Sequence, residues 1–180
     1  MRRIPVWPIV AAALVVGCGG GDEPSAERTP EPAPASDDCA TSKRSVAVRD
    51  VVRQLPRGTR LVPAKSEFAK EIAAEYRKGG ADPVDVQEVR RDAGGENAVV
   101  AVANVKRTGT EAEVLEGLRE AAQEEDARFR EVRVGGRRAG LISAPGVAQV
   151  GALVGPCAVI SITDTTVRRA LEVARGLRPL

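Results

Sequence analysis

Histidine is absent from the 180 residues of this sequence, and its absence excludes several kinds of active site. A Ser-His-Asp or Cys-His nucleophile uses an imidazole as its general base, and the HExxH metalloproteases use two imidazoles as zinc ligands. We therefore predict no catalytic residue of these kinds and no metal site built on imidazole. Nothing in the sequence indicates a bound cofactor.

Aromatic residues are almost as scarce, since Phe, Trp and Tyr make up only 2% of the chain. Trp7 lies in an apolar N-terminal segment, which leaves Phe68, Tyr76 and Phe129 for the remainder. Carbohydrate platforms and sites for single-stranded nucleic acid depend on stacking against aromatic faces. The composition therefore disfavours both classes of site, and we expect no nucleic-acid partner.

Complete catalytic and phosphate-binding motifs are also missing. The Gly-rich stretch with Gly146, Gly151 and Gly155 contains no Gly-Lys-Ser/Thr and no GxGxxG, so we interpret it as a flexible or bulged connection between strands. The sequence contains one Asp-Thr pair, at Asp164, whereas the active site of an aspartic protease needs two converging aspartates. We therefore interpret Asp164 as a helix cap. A pair of carboxylates of the kind that hydrolyses glycosides stays open as an alternative.

The N-terminus has the pattern of an export signal. Arg2 and Arg3 form a positively charged n-region, and the apolar run over residues 4–16 has the length of a signal-peptide h-region. The run is too short to span a bilayer, which takes about 20 residues. It ends in Val-Val-Gly-Cys, with the cysteine at position 18.

This N-terminal pattern resembles the lipobox of bacterial lipoproteins, in which small or aliphatic residues precede a cysteine. The resemblance covers only the signal segment and Cys18. It implies cleavage before Cys18, diacylglycerol on its sulfur and usually a further acyl chain such as palmitate on the new amino group. Several acyl chains anchor a protein stably. We therefore expect a membrane partner and a location in the cell envelope, on the extracytoplasmic face of a bacterial membrane.

The chain after the lipobox divides into an acidic tether and a basic domain. Residues 19–38 hold six acids and one arginine among many Pro, Ala and Ser residues, and they lack apolar periodicity. Residues 39–180 carry a net charge of +5 and have the length of one domain. We predict a signal peptide at 1–17, the lipidated cysteine and a disordered tether at 18–38, and a single domain at 39–180.

Cys39 and Cys157 are the two cysteines that remain when Cys18 carries lipid. Two thiolates are too few for a zinc site made of cysteines alone. In an oxidising compartment a pair of cysteines favours a disulfide. We therefore predict that a Cys39–Cys157 bond fastens the start of the domain to its sheet.

Apolar spacing within residues 39–180 predicts alternating helices and strands. We predict a short helix over 48–55, a helix capped by Ser66 that ends at Gly79-Gly80, a helix from about Thr110, and a final helix after Asp164. The predicted strands are 60–62, 84–87, 98–103, 129–134, 137–142 and 157–162. This order indicates an α+β fold, a mostly antiparallel sheet with helices packed on one face.

The clearest local pattern is a hairpin with a two-residue Gly135-Gly136 turn. In this hairpin Arg133 lies opposite Arg138, and like charges placed so repel each other. A solvated charged tip accounts for the pattern. The alternative is an anion-binding site of Arg133, Arg137 and Arg138 for a lipid headgroup, a wall polymer or an acidic envelope protein.

These observations predict a membrane-anchored extracytoplasmic lipoprotein whose domain binds or scaffolds without catalysis. The alternative is a carboxylate-dependent envelope hydrolase. The two differ in a structural feature. A concave pocket with two buried, facing carboxylates would favour the hydrolase, whereas a smooth sheet with an exposed basic tip would favour binding.

Overall fold

A computed structural model describes Cys39, residues 45–106 and residues 109–178 of the chain. The helices are α1 (Val48–Val51), α2 (Glu67–Lys78), α3 (Glu111–Glu124) and α4 (Val167–Ala174). The strands are β1 (Thr59–Pro63), β2 (Val84–Arg91), β3 (Ala98–Asn104), β4 (Arg128–Val134), β5 (Arg137–Ala144), β6 (Val147–Gly155) and β7 (Ala158–Asp164). No helix in these residues is long and apolar enough to cross a membrane.

All seven strands belong to one sheet in the order β1-β2-β3-β7-β6-β5-β4. Every neighbouring pair is antiparallel. The sequence prediction of an α+β fold with a mostly antiparallel sheet is therefore confirmed. The last strand of the chain, β7, lies at the centre, where it pairs with β3 on one side and β6 on the other.

Helices cover both faces of this sheet. Val100 and Val102 of β3 pack in one cluster with residues of α1 and α4, and we call this side the α1/α4 face. Val99 and Ala101 of the same strand pack with residues of α2 and α3 on the opposite side, the α2/α3 face. The predicted packing of helices on one face is therefore not confirmed. The physical reason is that a strand that is apolar at successive positions needs cover on both sides.

The prediction of a flexible or bulged connection over residues 146–155 is wrong, because residues 147–155 form β6 in the interior of the sheet. Gly151 of β6 pairs with Gly140 of β5, and a Cβ on either residue would lie within 3.0 Å of the Leu118 side chain of α3. These glycines let α3 approach the sheet closely. The bulge that the prediction included does occur, as a register shift between Leu153 and Gly155.

The helices begin mostly where the sequence predicts. The Ser66 hydroxyl accepts a hydrogen bond from the Ala69 amide at 3.2 Å, and Thr110 and Glu113 form a reciprocal capping box. The final helix is an exception, because Thr166 caps α4 and Asp164 ends β7 instead. The interpretation of Asp164 as a helix cap is therefore wrong, since the strand extends two residues past the predicted end.

Cys39 and Cys157 form the predicted disulfide, with their Cα atoms 5.4 Å apart across a sequence separation of 118 residues. Cys157 lies in the turn between β6 and β7. The bond therefore joins the start of the domain to the centre of the sheet.

Candidate functional site

The predicted lipidation site, Cys18, and the tether after it lie outside the described residues. The predicted basic tip lies within them, and its register is as expected, with Arg133 opposite Arg138 and Arg137 opposite Val134. Successive residues of a strand point to opposite faces of a sheet. Arg133 and Arg138 therefore project towards the α2/α3 face, whereas Arg137 projects towards the other.

The arginines of the tip also differ in their contacts. Arg138 forms an ion pair with Glu131 at 2.9 Å, and the Arg137 guanidinium donates a hydrogen bond to the Leu153 carbonyl at 3.4 Å. Arg133 is exposed and makes no ion pair within the described residues. The three side chains thus do not converge on one point, and the structure brings together only Arg133 and a partly neutralised Arg138.

A pocket that the sequence does not predict lies at the opposite end of the strands from this tip. It opens between the N-terminus of α2, the Gly146 turn, and the ends of β3 and β7, and its volume is about 250 Å³. We call it the α2 pocket. Its lining residues are Ser66, Phe68, Glu88, Glu96, Asn97, Val99, Gly146, Val147, Thr163, Asp164 and Thr165.

The base of the α2 pocket is a row of three residues on neighbouring strands. Glu88 of β2 pairs with Val99 of β3, which pairs in turn with Thr163 of β7. All three lie on the α2/α3 face, beside the N-terminus of α2. Glu88 and Thr163 are only 5% and 7% exposed, so two polar side chains are buried at the base of this pocket.

Glu88 is held by hydrogen bonds to both of its carboxylate oxygens. Oε1 accepts from the backbone amides of Lys65 at 3.0 Å and Ser66 at 2.8 Å, and Oε2 accepts from the Asn97 side-chain amide at 2.8 Å. Burial acts to raise the pKa of Glu88, but the hydrogen bonds from Ser66, Lys65 and Asn97 outweigh it and lower the pKa to about 2. Glu88 is therefore ionised at neutral pH. No described residue forms an ion pair with it.

Asp164, the second buried carboxylate of the pocket, is neutralised by a cation. Its Oδ2 lies 2.6 Å from the Arg91 guanidinium, which also donates to the Glu96 carbonyl. Its Oδ1 accepts from the Thr165 amide at 2.6 Å. Asp164 pairs with Ala148, a residue of the α1/α4 cluster, so its side chain projects towards the opposite face from Glu88.

The residues that line the pocket thus include two buried carboxylates, but these do not face each other as the hydrolase alternative requires, and they do not form an acid–base pair. A general acid has to hold its proton near neutral pH, which a carboxyl group with a lowered pKa does not do. Glu88 is ionised, and Asp164 is bound to Arg91 on the other side of the strand ends. Within the described residues no three side chains of Cys, Asp or Glu cluster as metal ligands.

Three oxygen atoms of residues that line the α2 pocket can each accept a further hydrogen bond. The Thr163 hydroxyl and the Asn97 Oδ1 atom make no hydrogen bond to a described residue. Glu88 Oε2 accepts one hydrogen bond, and a carboxylate oxygen has room for a second. Phe68, Val99 and Val147 supply apolar walls. The pocket therefore combines an apolar lining with a small group of acceptors around one negative charge.

A second, more open cleft of about 400 Å³ adjoins the α2 pocket at the turn between β2 and β3. Arg60, Arg90 and Arg91 line it, and Asn97 lines both cavities. Arg60 lies opposite Arg90 in the sheet and approaches Asp92 at 4.0 Å. Arg60 and Arg90 are exposed, so water and salt screen their charges far more than the charge of Glu88.

The sequence carried one signal for Glu88. Val84 and Val86 alternate with polar residues, and Glu88 continues on the same side of the strand, so an acid occupies a position that the pattern reserves for apolar residues. The contribution of Thr163 and Asn97 depends on strand order, which one sequence does not supply.

The chain matches no known protein family, and no curated protein or solved structure is similar to it.

Proposed function

We propose that this protein is a lipoprotein, held on the extracytoplasmic face of a bacterial membrane by lipid on Cys18, and that its domain binds a ligand in the α2 pocket without catalysis. The lipobox pattern at residues 15–18 supports the anchor. The α2 pocket supports the binding role, since binding sites are typically concave, mostly apolar and marked by a few fixed polar groups.

The main support for this proposal is that the buried carboxylate of the pocket is held in one orientation by hydrogen bonds. Glu88 accepts hydrogen bonds from Lys65, Ser66 and Asn97, so its side chain is held in place before any ligand arrives. Preorganised groups favour binding because little ordering entropy remains to be lost. The hydrogen bonds keep Glu88 ionised, and Arg91 occupies the carboxylate of Asp164. This arrangement favours a binding site over the carboxylate-dependent hydrolase.

The anchor is tested by the intact mass of the protein extracted from its own membranes. The expected mass begins at Cys18 and includes its acyl chains, and Cys18→Ser should release the domain or stall its processing. An unmodified Cys18, or a chain that starts before it, would refute the anchor.

The binding role is tested by two-dimensional NMR of the full chain in nonionic detergent, with a panel of four-carbon alcohols, amines and acids. At least one compound should shift the amide signals of Asn97, Gly146 and Thr163 to saturation. If no member of the panel does so, the α2 pocket is not a ligand site.

A further inference from the structure

No cationic side chain among the described residues forms an ion pair with the negative charge at the base of the α2 pocket. Glu88 is 5% exposed, and its hydrogen-bond partners are all neutral: the amides of Lys65, Ser66 and Asn97, and the Ser66 hydroxyl. A buried charge is normally paired with an opposite charge or a metal ion. Here the pocket itself gives access to the carboxylate, so a cation can reach it from solvent.

We infer that the α2 pocket binds a primary ammonium group carried on a short alkyl stem. This inference rests on the proposed binding role and specifies its ligand. An alkylammonium has three N–H donors and no acceptor. The pocket offers a matching set of acceptors at its base: Glu88 Oε2, Thr163 Oγ1 and Asn97 Oδ1.

The walls of the pocket fit the alkyl stem. Val99 and Val147 provide aliphatic contact, and Phe68 provides an aromatic ring, which attracts cations as well as apolar groups. The volume of about 250 Å³ is below the roughly 300–1,000 Å³ of sites for drug-sized ligands. A single amine-bearing chain, such as a lysine side chain or a free alkylamine, suits this space.

Thr163 is an independent indication of a polar ligand. Thr163 lines the pocket, and its hydroxyl makes no hydrogen bond to a described residue. The hydroxyl is therefore free to accept a hydrogen bond from a ligand in the pocket. An ammonium donor in the pocket would satisfy this hydroxyl and Glu88 together.

The other charges near the pocket are consistent with a cation. Glu96 lies exposed at the mouth and adds negative charge, and Arg91 is neutralised by Asp164. Arg90 is two residues beyond Glu88 on the same side of β2, but it is exposed to solvent. Its repulsion is therefore screened, and an anionic group elsewhere on the ligand could contact it.

The test compares three probes of similar size by NMR titration of the full chain in nonionic detergent: n-butylammonium, 1-butanol and butyrate. We expect n-butylammonium to bind at least about tenfold more tightly than 1-butanol, and butyrate not to bind, because a charge-assisted hydrogen bond is roughly twice as strong as a neutral one. Equal affinity for the ammonium and the alcohol would overturn the charge preference and leave the pocket as a binding site. Absence of saturable shifts with all three probes would overturn the binding role as well.

Thr163→Val removes one acceptor and keeps the shape of the side chain. It should weaken n-butylammonium binding about fivefold to tenfold, the usual effect of one lost hydrogen bond. Thr59→Val is the matched control, since the Thr59 hydroxyl donates a hydrogen bond to the Pro56 carbonyl and Thr59 does not line the pocket. The inference fails if the two variants bind n-butylammonium equally well. Lysine with both backbone ends blocked as amides is measured beside n-butylammonium. Tighter binding of blocked lysine indicates a side-chain ligand, and tighter binding of n-butylammonium indicates a free amine.

Discussion

Replacing Glu88 by glutamine should destabilise the domain in a way that depends on pH. Glutamine keeps the shape of the side chain and one acceptor oxygen, but it carries no charge. In the folded protein the pKa of Glu88 is about 2, against an ordinary value of 4.5. A difference of this size corresponds to about 3 kcal/mol in favour of the ionised form.

The sign of the pH dependence follows from the lowered pKa. Because the carboxyl group is more acidic in the folded state, its contribution to stability is complete above pH 4.5 and is lost as the pH falls towards 2. At pH 3 about 2 of the 3 kcal/mol has been lost. The glutamine does not titrate. Glu88→Gln should therefore lower the free energy of unfolding by about 3 kcal/mol at pH 7 and by about 1 kcal/mol at pH 3.

The measurement is urea unfolding followed by circular dichroism, with wild type and variant compared at pH 7, 5 and 3. Subtracting the two proteins cancels the titration of every other group. Glu67→Gln is the matched control, since Glu67 is an exposed acid at the same end of α2 whose ion pair with Lys70 is solvated. The reasoning is refuted if Glu88→Gln costs the same at pH 7 and pH 3, because the cost would then not come from the charge.

Two further predictions concern stability. Replacing Cys39 and Cys157 by serine opens a loop of 118 residues and should lower the free energy of unfolding by up to about 5 kcal/mol; dithiothreitol should destabilise wild type by the same amount and leave the variant unchanged. Gly140→Ala should cost about 1–3 kcal/mol, because the new methyl group would lie 2.7 Å from Leu118 Cδ1. Combining it with Leu118→Ala should cost less than the sum of the two single changes, and strict additivity would contradict the close approach.

Local patterns in the sequence predicted most elements of the fold because they act over a few residues. Ser66 and Thr110 cap the helices that they were expected to cap, and the Gly135-Gly136 turn sets the register of its hairpin. The location of the helices relative to the sheet depends on which strands become neighbours. The apolar run in β3 was consistent with cover on both faces, but nothing local to it shows which helices supply that cover.

Two errors had a common physical cause. Gly151 was interpreted as part of a flexible connection, and Asp164 as a cap, because glycine and aspartate favour loops and helix starts in isolation. In the fold, Leu118 packs against Gly151 and Arg91 binds Asp164. Each partner is distant in the sequence. The α2 pocket went unpredicted for the same reason, since its acceptors come from separate strands and meet only when the sheet is assembled.

Strand β7 has a mechanical consequence. It begins at Ala158, next to the disulfide that joins Cys39 to Cys157, and it ends at Asp164 in the α2 pocket. If the proposed lipid anchor holds the N-terminus and the proposed ligand is fixed to an immobile partner, tension between them runs from one end of this strand to the other, over about 20 Å. Because β3 and β6 both pair with β7, such a force would load two ladders of hydrogen bonds in shear. The disulfide would transmit the force to this central strand and not to the edge strands of the sheet.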